Sequence, residues 1–245
     1  MSDSNNRNIK AAKAGLWYTV GNILLKGCVF FSLPIFTRIL STDDFGIYNS
    51  YIAYENLISA VLGLGLYGTI KNAKIDFQEE FDSYISAVFS LSFLVFVAVF
   101  FLAHCFYPVY GERIGFSRFV VDCLICQSFG SYFLHFYGTK LNAEFKYKPY
   151  LAVSVFNTVG SIAISIVLIL LVFPNQRFMG RIIGSATPPI LIVLILGALV
   201  LLRGRRLVDK KFWSYGLMIG LPLVPHVISQ SVLSQFDRIM IKDMV

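Results

Sequence analysis

Charge is scarce in this chain. Asp, Glu, Lys and Arg make up 14% of its 245 residues, against about a quarter in soluble domains, while hydrophobic residues reach 56% and mean hydropathy is +0.69. That balance excludes an ordinary water-soluble domain, and the long apolar stretches leave no room for a separate catalytic one. Strand alternation is missing from those stretches, which excludes a membrane barrel built of short dyad-patterned segments. No hydrolase elbow, Walker loop or zincin helix occurs, so enzyme chemistry has little to start from. Histidine is rare: His104, His135 and His226 fall in three different stretches without ligand spacing, and no metal or cofactor is expected. His104 and His135 lie near the ends of their stretches, where interfacial packing is the simpler role. The four cysteines, Cys28, Cys105, Cys123 and Cys126, all sit in apolar surroundings, and Cys123-x-x-Cys126 has no second ligand pair. Core packing explains them better than metal or redox chemistry.

Windows of roughly 20 mostly apolar residues, the length that crosses about 30 Å of hydrocarbon, occur seven times, near 14–40, 46–70, 84–107, 118–139, 150–173, 180–202 and 212–236. The predicted fold is all-α, a polytopic transmembrane helix bundle. The leading MSDSNNRNIKAAK resembles the charged start of a signal peptide, but the apolar stretch behind it is too long and more spans follow. The net charge of +7 would suggest nucleic acid in a soluble protein; here the basic residues gather in alternate loops instead. Placing the N-terminus in the cytoplasm puts thirteen Lys and Arg inside and seven outside, with Lys26 left within the first span. This satisfies the positive-inside rule. The expected layout is a cytoplasmic tail at 1–13, a six-helix lobe at 14–203, and a cytoplasmic loop with a seventh helix at 204–245.

Proline falls inside several spans, at Pro34, Pro188, Pro189, Pro222 and Pro225, where each removes a helix hydrogen bond. These are either helix breaks of the kind transporters use or the prolines common in passive membrane helices. Gly180-x-x-x-Gly184 and the cluster Gly63, Gly65, Gly68 allow close helix contact. The 23 Phe and 13 Tyr are expected mostly at lipid-facing or interfacial positions. Ionisable groups within hydrocarbon are costly and need a partner or a wet cavity. Lys26 and Glu55 lie at similar depth, and either pair with each other or leave Lys26 free to meet an anionic ligand. Arg118 and Asp122, four residues apart, suggest a local ion pair. His226 is deep enough to face a cavity. Residues 31–43 echo 231–243, matching Arg38 to Arg238 and Asp43 to Asp243, which fits two parallel repeats. Arg38 and Arg238 are therefore either functional or snorkelling to the headgroups.

The segments KGCVFFSLPIFTRILSTDDFGIYN, GLGLYGTI and GLPLVPHVISQSVLSQFDRIMI resemble the polysaccharide-transport branch of the multidrug/oligosaccharidyl-lipid/polysaccharide exporter superfamily. These are the Wzx-type flippases of bacterial O-antigen and capsule repeat units. The resemblance implies a MATE-like transporter of two six-helix lobes, with this chain supplying the N-terminal lobe and helix seven, as if truncated before the second lobe. It further implies a cytoplasmic (inner) membrane location, alternating access and a polyprenyl-pyrophosphate-linked oligosaccharide substrate. Membrane lipid surrounds it, and polysaccharide polymerase and glycosyltransferases are implied partners; no nucleic acid is. Candidate cavity residues are Lys26, Glu55, Arg38, Asp237, Arg238 and His226, with no cofactor. Two alternatives stay open: a drug or cation antiporter of the same superfamily, using Glu55 as its coupling carboxylate, and a membrane-embedded glycosyl or acyl transferase. The transferase would want a loop with clustered acids or histidines, and the longest loops hold neither.

Overall fold

The computed structural model describes residues 2–230 and Leu233, and contains only helices, turns and short connections among them. In order these are α1 (Ser2–Ile39), α2 (Thr42–Gly63), a 3₁₀ turn (Leu66–Thr69), α3 (Ile70–Asp76), α4 (Phe81–Ile114), α5 (Arg118–Ala143), α6 (Tyr147–Val167, continued by a π turn to Val172), α7 (Arg177–Gly204) and α8 (Lys210–Gly220). A further helical segment, Leu223–Gln230, follows α8 at a bend of 49°. Asp237, Arg238 and, apart from Leu233, the second half of the internal echo lie outside the described residues.

Local sequence starts these helices where expected. The acidic turn after α1 forms a capping box: the Ser41 hydroxyl accepts from the Asp44 amide at 3.1 Å, and the Asp44 carboxylate accepts from the Ser41 amide at 3.2 Å. Asp209 caps α8 by accepting from the amides of Lys211 and Phe212.

Among the described residues five helices are long and apolar enough to cross a membrane, α1, α4, α5, α6 and α7, and the bent pair after Asp209, counted as one span, makes six. The chain is thus a polytopic helix bundle. The predicted window at 46–70 differs on two counts. Its helix stops at Gly63, because Leu64 and Gly65 turn left-handed with φ of 46° and 66°. It is also less apolar than its neighbours, carrying Asn49, Tyr54, Glu55 and Asn56. Its 22 residues nevertheless run about 33 Å, from one end of the bundle to the other.

Contacts at each end establish this. At the first end the α1–α2 turn meets the start of α7: Arg177 donates to the Ile39 carbonyl at 2.6 Å, and the Phe178 amide donates to Asp44 at 3.4 Å. Arg181 stacks over Phe36 of α1 (3.8 Å) and Tyr48 of α2 (4.6 Å), and donates to Ser165 of α6 at 2.9 Å. At the opposite end the 3₁₀ turn after α2 meets α4 through Thr69 and Tyr84, 2.6 Å apart. Nearby, Lys140 of α5 pairs with Asp82 of α4 at 2.8 Å, and Ser83 donates to Gly204 of α7 at 3.1 Å.

Helix α7 is the pole of the bundle, packing against α2, α4, α5 and α6. Small residues permit this. A Cβ on Gly184 would stand 2.4 Å from the Cα of Ser165, and one on Gly180 would stand 2.9 Å from the Ile169 nitrogen, so the expected α6–α7 contact is made through backbone. The Gly63, Gly65, Gly68 cluster likewise admits Tyr132, the Gly220 carbonyl and Leu223.

Pro188 and Pro189 do not break α7. They are buried: Pro188 packs against Gly160 of α6, and Gly130 of α5, lacking a Cβ, lets the Pro189 carbonyl come close. Pro34 lies exposed within an unbroken α1. The bend between α8 and Leu223 falls at Pro222, so of the predicted break sites the Pro222–Pro225 pair alone coincides with one.

Some of the aromatic residues depart from the expected outward placement. Phe89, Phe129, Tyr132, Phe133 and Phe136 are buried together between α4 and α5, with neighbouring ring centroids 4.6–6.5 Å apart along the cluster that continues to Phe96. Rings supply contact area that small aliphatic side chains cannot, and lipid offers no compensating advantage. Helix α1, by contrast, leans chiefly on α6, and these two present most of their surface outward.

Candidate functional site

A polar cleft opens between α1, α5 and α6 and continues toward α2. Its first bay, about 390 Å³, is walled by Ser131, His135 and Asn142 of α5 and by Tyr150, Ser154 and Asn157 of α6, with Leu25 of α1 across it. A second bay of about 290 Å³ lies along α1 between Asn22, Lys26 and Val29, and shares Leu25 and Thr158 with the first. A third, about 190 Å³, is formed by Asn56 and Ser59 of α2, Tyr67, Tyr132 and Val227, and shares His135 with the first. The shared residues set the three bays side by side.

Helical spacing explains how the wall assembles. Asn22, Leu25, Lys26 and Val29 fall on one face of α1, Ser131, His135 and Asn142 on one face of α5, and Tyr150, Ser154, Asn157 and Thr158 on one face of α6. Each stripe is polar within a helix otherwise rich in Val, Ile, Leu and Phe. The α1 and α6 walls are joined where the Tyr150 hydroxyl donates to Asn22 at 3.1 Å, and beyond it Tyr18 packs edge-on to Tyr150 at 4.8 Å and donates to the Leu141 carbonyl.

Among the described residues no carboxylate and no arginine lines the three bays, and Lys26 is their one formally charged residue. Lys26 is exposed to the second bay and forms no ion pair with Glu55, contrary to the simplest pairing. Glu55 is buried behind the wall, with Ser131 as its hydrogen-bonding neighbour and one carboxyl oxygen lacking a partner. Around it Tyr51 donates to Gln127 at 2.9 Å, Ser185 donates to the same oxygen at 3.3 Å, and Ser128 donates to the Glu55 carbonyl at 3.2 Å. Asn157 presents a second buried oxygen without a partner, on the wall of the first bay itself.

A model for the family described as polysaccharide biosynthesis protein matches residues 11–245. The chain belongs to this family. No curated protein and no solved structure matches it.

Within this polysaccharide biosynthesis protein the predicted site residues are scattered. Lys26 lines the cleft, Glu55 stands one layer behind it, and Arg38 is exposed near the end of α1, away from the three bays. His226 is exposed beside the bend, while its neighbour Val227 reaches the third bay. The Arg118–Asp122 pair is not formed: Asp122 faces His104 of α4 at 3.3 Å, and Arg118 lies over the Tyr107 ring at 5.0 Å. Each is engaged by α4 instead of by the other. Sequence reasoning gave His135 an interfacial packing role and missed Asn157, Ser131 and Asn22, because it weighed ionisable groups and passed over amides and hydroxyls. Their spacing on apolar helices was the available signal.

Proposed function

We propose that this protein is a flippase that carries polyprenyl-pyrophosphate-linked oligosaccharide repeat units across the cytoplasmic membrane for O-antigen or capsule assembly. Its N-terminus lies in the cytoplasm, and it acts by alternating access as a carrier rather than an enzyme. Glycosyltransferases supply the loaded lipid and a polymerase consumes it. The observation that carries this reading is the polar cleft in an otherwise apolar bundle. A glycan headgroup crossing hydrocarbon would leave each hydroxyl unpaired, at a cost of several kcal/mol per group. A wall of amides and hydroxyls replaces those lost water contacts, and the Lys26 ammonium suits the pyrophosphate. Family membership supports a place in polysaccharide biosynthesis.

The test is loss of the gene in its own host. Lipid-linked repeat units should accumulate on the cytoplasmic face, inaccessible to an added external glycosidase, and the wild-type gene should clear them while Lys26→Ala clears them poorly. Normal surface polysaccharide in the deletion strain would refute the reading. One observation favours the antiporter alternative: the unpartnered carboxyl oxygen of Glu55, close behind the cleft. That alternative predicts raised drug sensitivity on deletion, with surface polysaccharide intact.

A further inference from the structure

The hydrogen-bonding capacity of the first bay is lopsided. Three of its hydroxyl protons are already committed: Tyr150 donates to Asn22, Thr139 to the His135 carbonyl at 2.8 Å, and Ser131 to the Glu55 carboxyl. These three, of the six hydroxyls on the bay's wall, therefore have only lone pairs left to offer the cavity. Asn157 adds a buried oxygen with no donor at all. Such a wall asks for a ligand that brings protons to donate. Sugar hydroxyls and acetamido N–H groups do so, whereas a carboxylate only accepts and would leave the Asn157 oxygen unpaired.

Charge is distributed in the same sense. The one ammonium, Lys26, belongs to the second bay, and the shared residues Leu25 and Thr158 set it directly alongside the first. An anionic group has its donor there, and a second anion has no counterpart among the described lining residues.

We infer that the first bay, at Asn157, Ser131 and His135, is a subsite for an uncharged hydroxyl- or acetamido-bearing sugar, with the lipid phosphate held beside Lys26. The cleft thereby prefers neutral repeat units over those carrying uronic acids. This specificity rests on the flippase reading and is separable from it.

The experiment reconstitutes the full chain in proteoliposomes with two synthetic polyprenyl-pyrophosphate disaccharides, identical except that a hexose in one is the matching hexuronic acid in the other. Each preparation is read as the ratio of neutral to acidic flipping, which does not depend on how much protein is active. The expected ratio is roughly tenfold, the equivalent of one mispaired buried polar group. Asn157→Lys, which replaces the lone acceptor by a cation, should pull the ratio toward or below one. Equal flipping of both lipids by the wild type overturns the subsite while leaving the flippase intact. So does a ratio that Asn157→Lys leaves unchanged. Flipping of neither lipid refutes the flippase reading, and the subsite with it.

Discussion

Substitution of Gly184 by Ala should separate α6 from α7. The added Cβ would stand 2.4 Å from both the Cα and the hydroxyl oxygen of Ser165 and 2.5 Å from its nitrogen. Carbon atoms rest at about 3.5–4.0 Å, so the helices must part by roughly 1 Å. Neither side can yield by a rotamer change, since backbone meets backbone. Overpacking of this kind costs about 1–3 kcal/mol, or about 2–12 °C in Tm for a chain of this size. The loss should spread outward, because α1 rests chiefly on α6. Two controls bracket it: Gly160→Ala meets the Pro188 ring at an ordinary 3.4 Å, and Gly27→Ala meets nothing within 4 Å. Gly160→Ala should change little, and Gly27→Ala should be neutral or slightly stabilising through helix propensity. Thermal unfolding in detergent, followed by fluorescence-detected size exclusion, ranks the three. A Gly184→Ala protein as stable as wild type would refute the close-packing argument.

Two further outcomes follow from the bundle's ends. Asp82→Ala strands Lys140, whose side chain is only 9% exposed, and should cost about 1–3 kcal/mol; adding Lys140→Met should recover part of the loss, because no unpaired charge then remains. Arg181→Leu removes two ring contacts and the bond to Ser165, and should cost about 1–3 kcal/mol. Arg181→Lys should restore only a fraction, since an ammonium lacks the planar face that stacks on Phe36 and Tyr48. Both series are read by the same thermal assay.

Apolar length made the helices legible, and Gly180-x-x-x-Gly184 announced the contact it makes. What sequence periodicity could not show was how neighbours change the meaning of a residue. Pro188 and Pro189 could be read as breaks until they are seen buried against Gly160 and Gly130 within a continuous α7. Asp122 sits one turn from Arg118 yet faces His104, because a partner on the adjacent helix is invisible in the chain order. Helix α2 ends early at Leu64 and Gly65, a position the clustered glycines marked only as small. The site was half legible for a related reason. Lys26 stood out by its cost in hydrocarbon, whereas Asn157, Ser131 and Asn22 each look ordinary alone, and gain meaning once three helices bring their stripes to one cleft.

The most direct measurement is flipping of a fluorescent, neutral lipid-linked oligosaccharide by the purified protein in vesicles, comparing wild type with a cleft filled by Ser154→Trp. The account predicts flipping by the wild type and its near abolition in the variant, with the folded fraction unchanged. Unimpaired flipping through the filled cleft would contradict it.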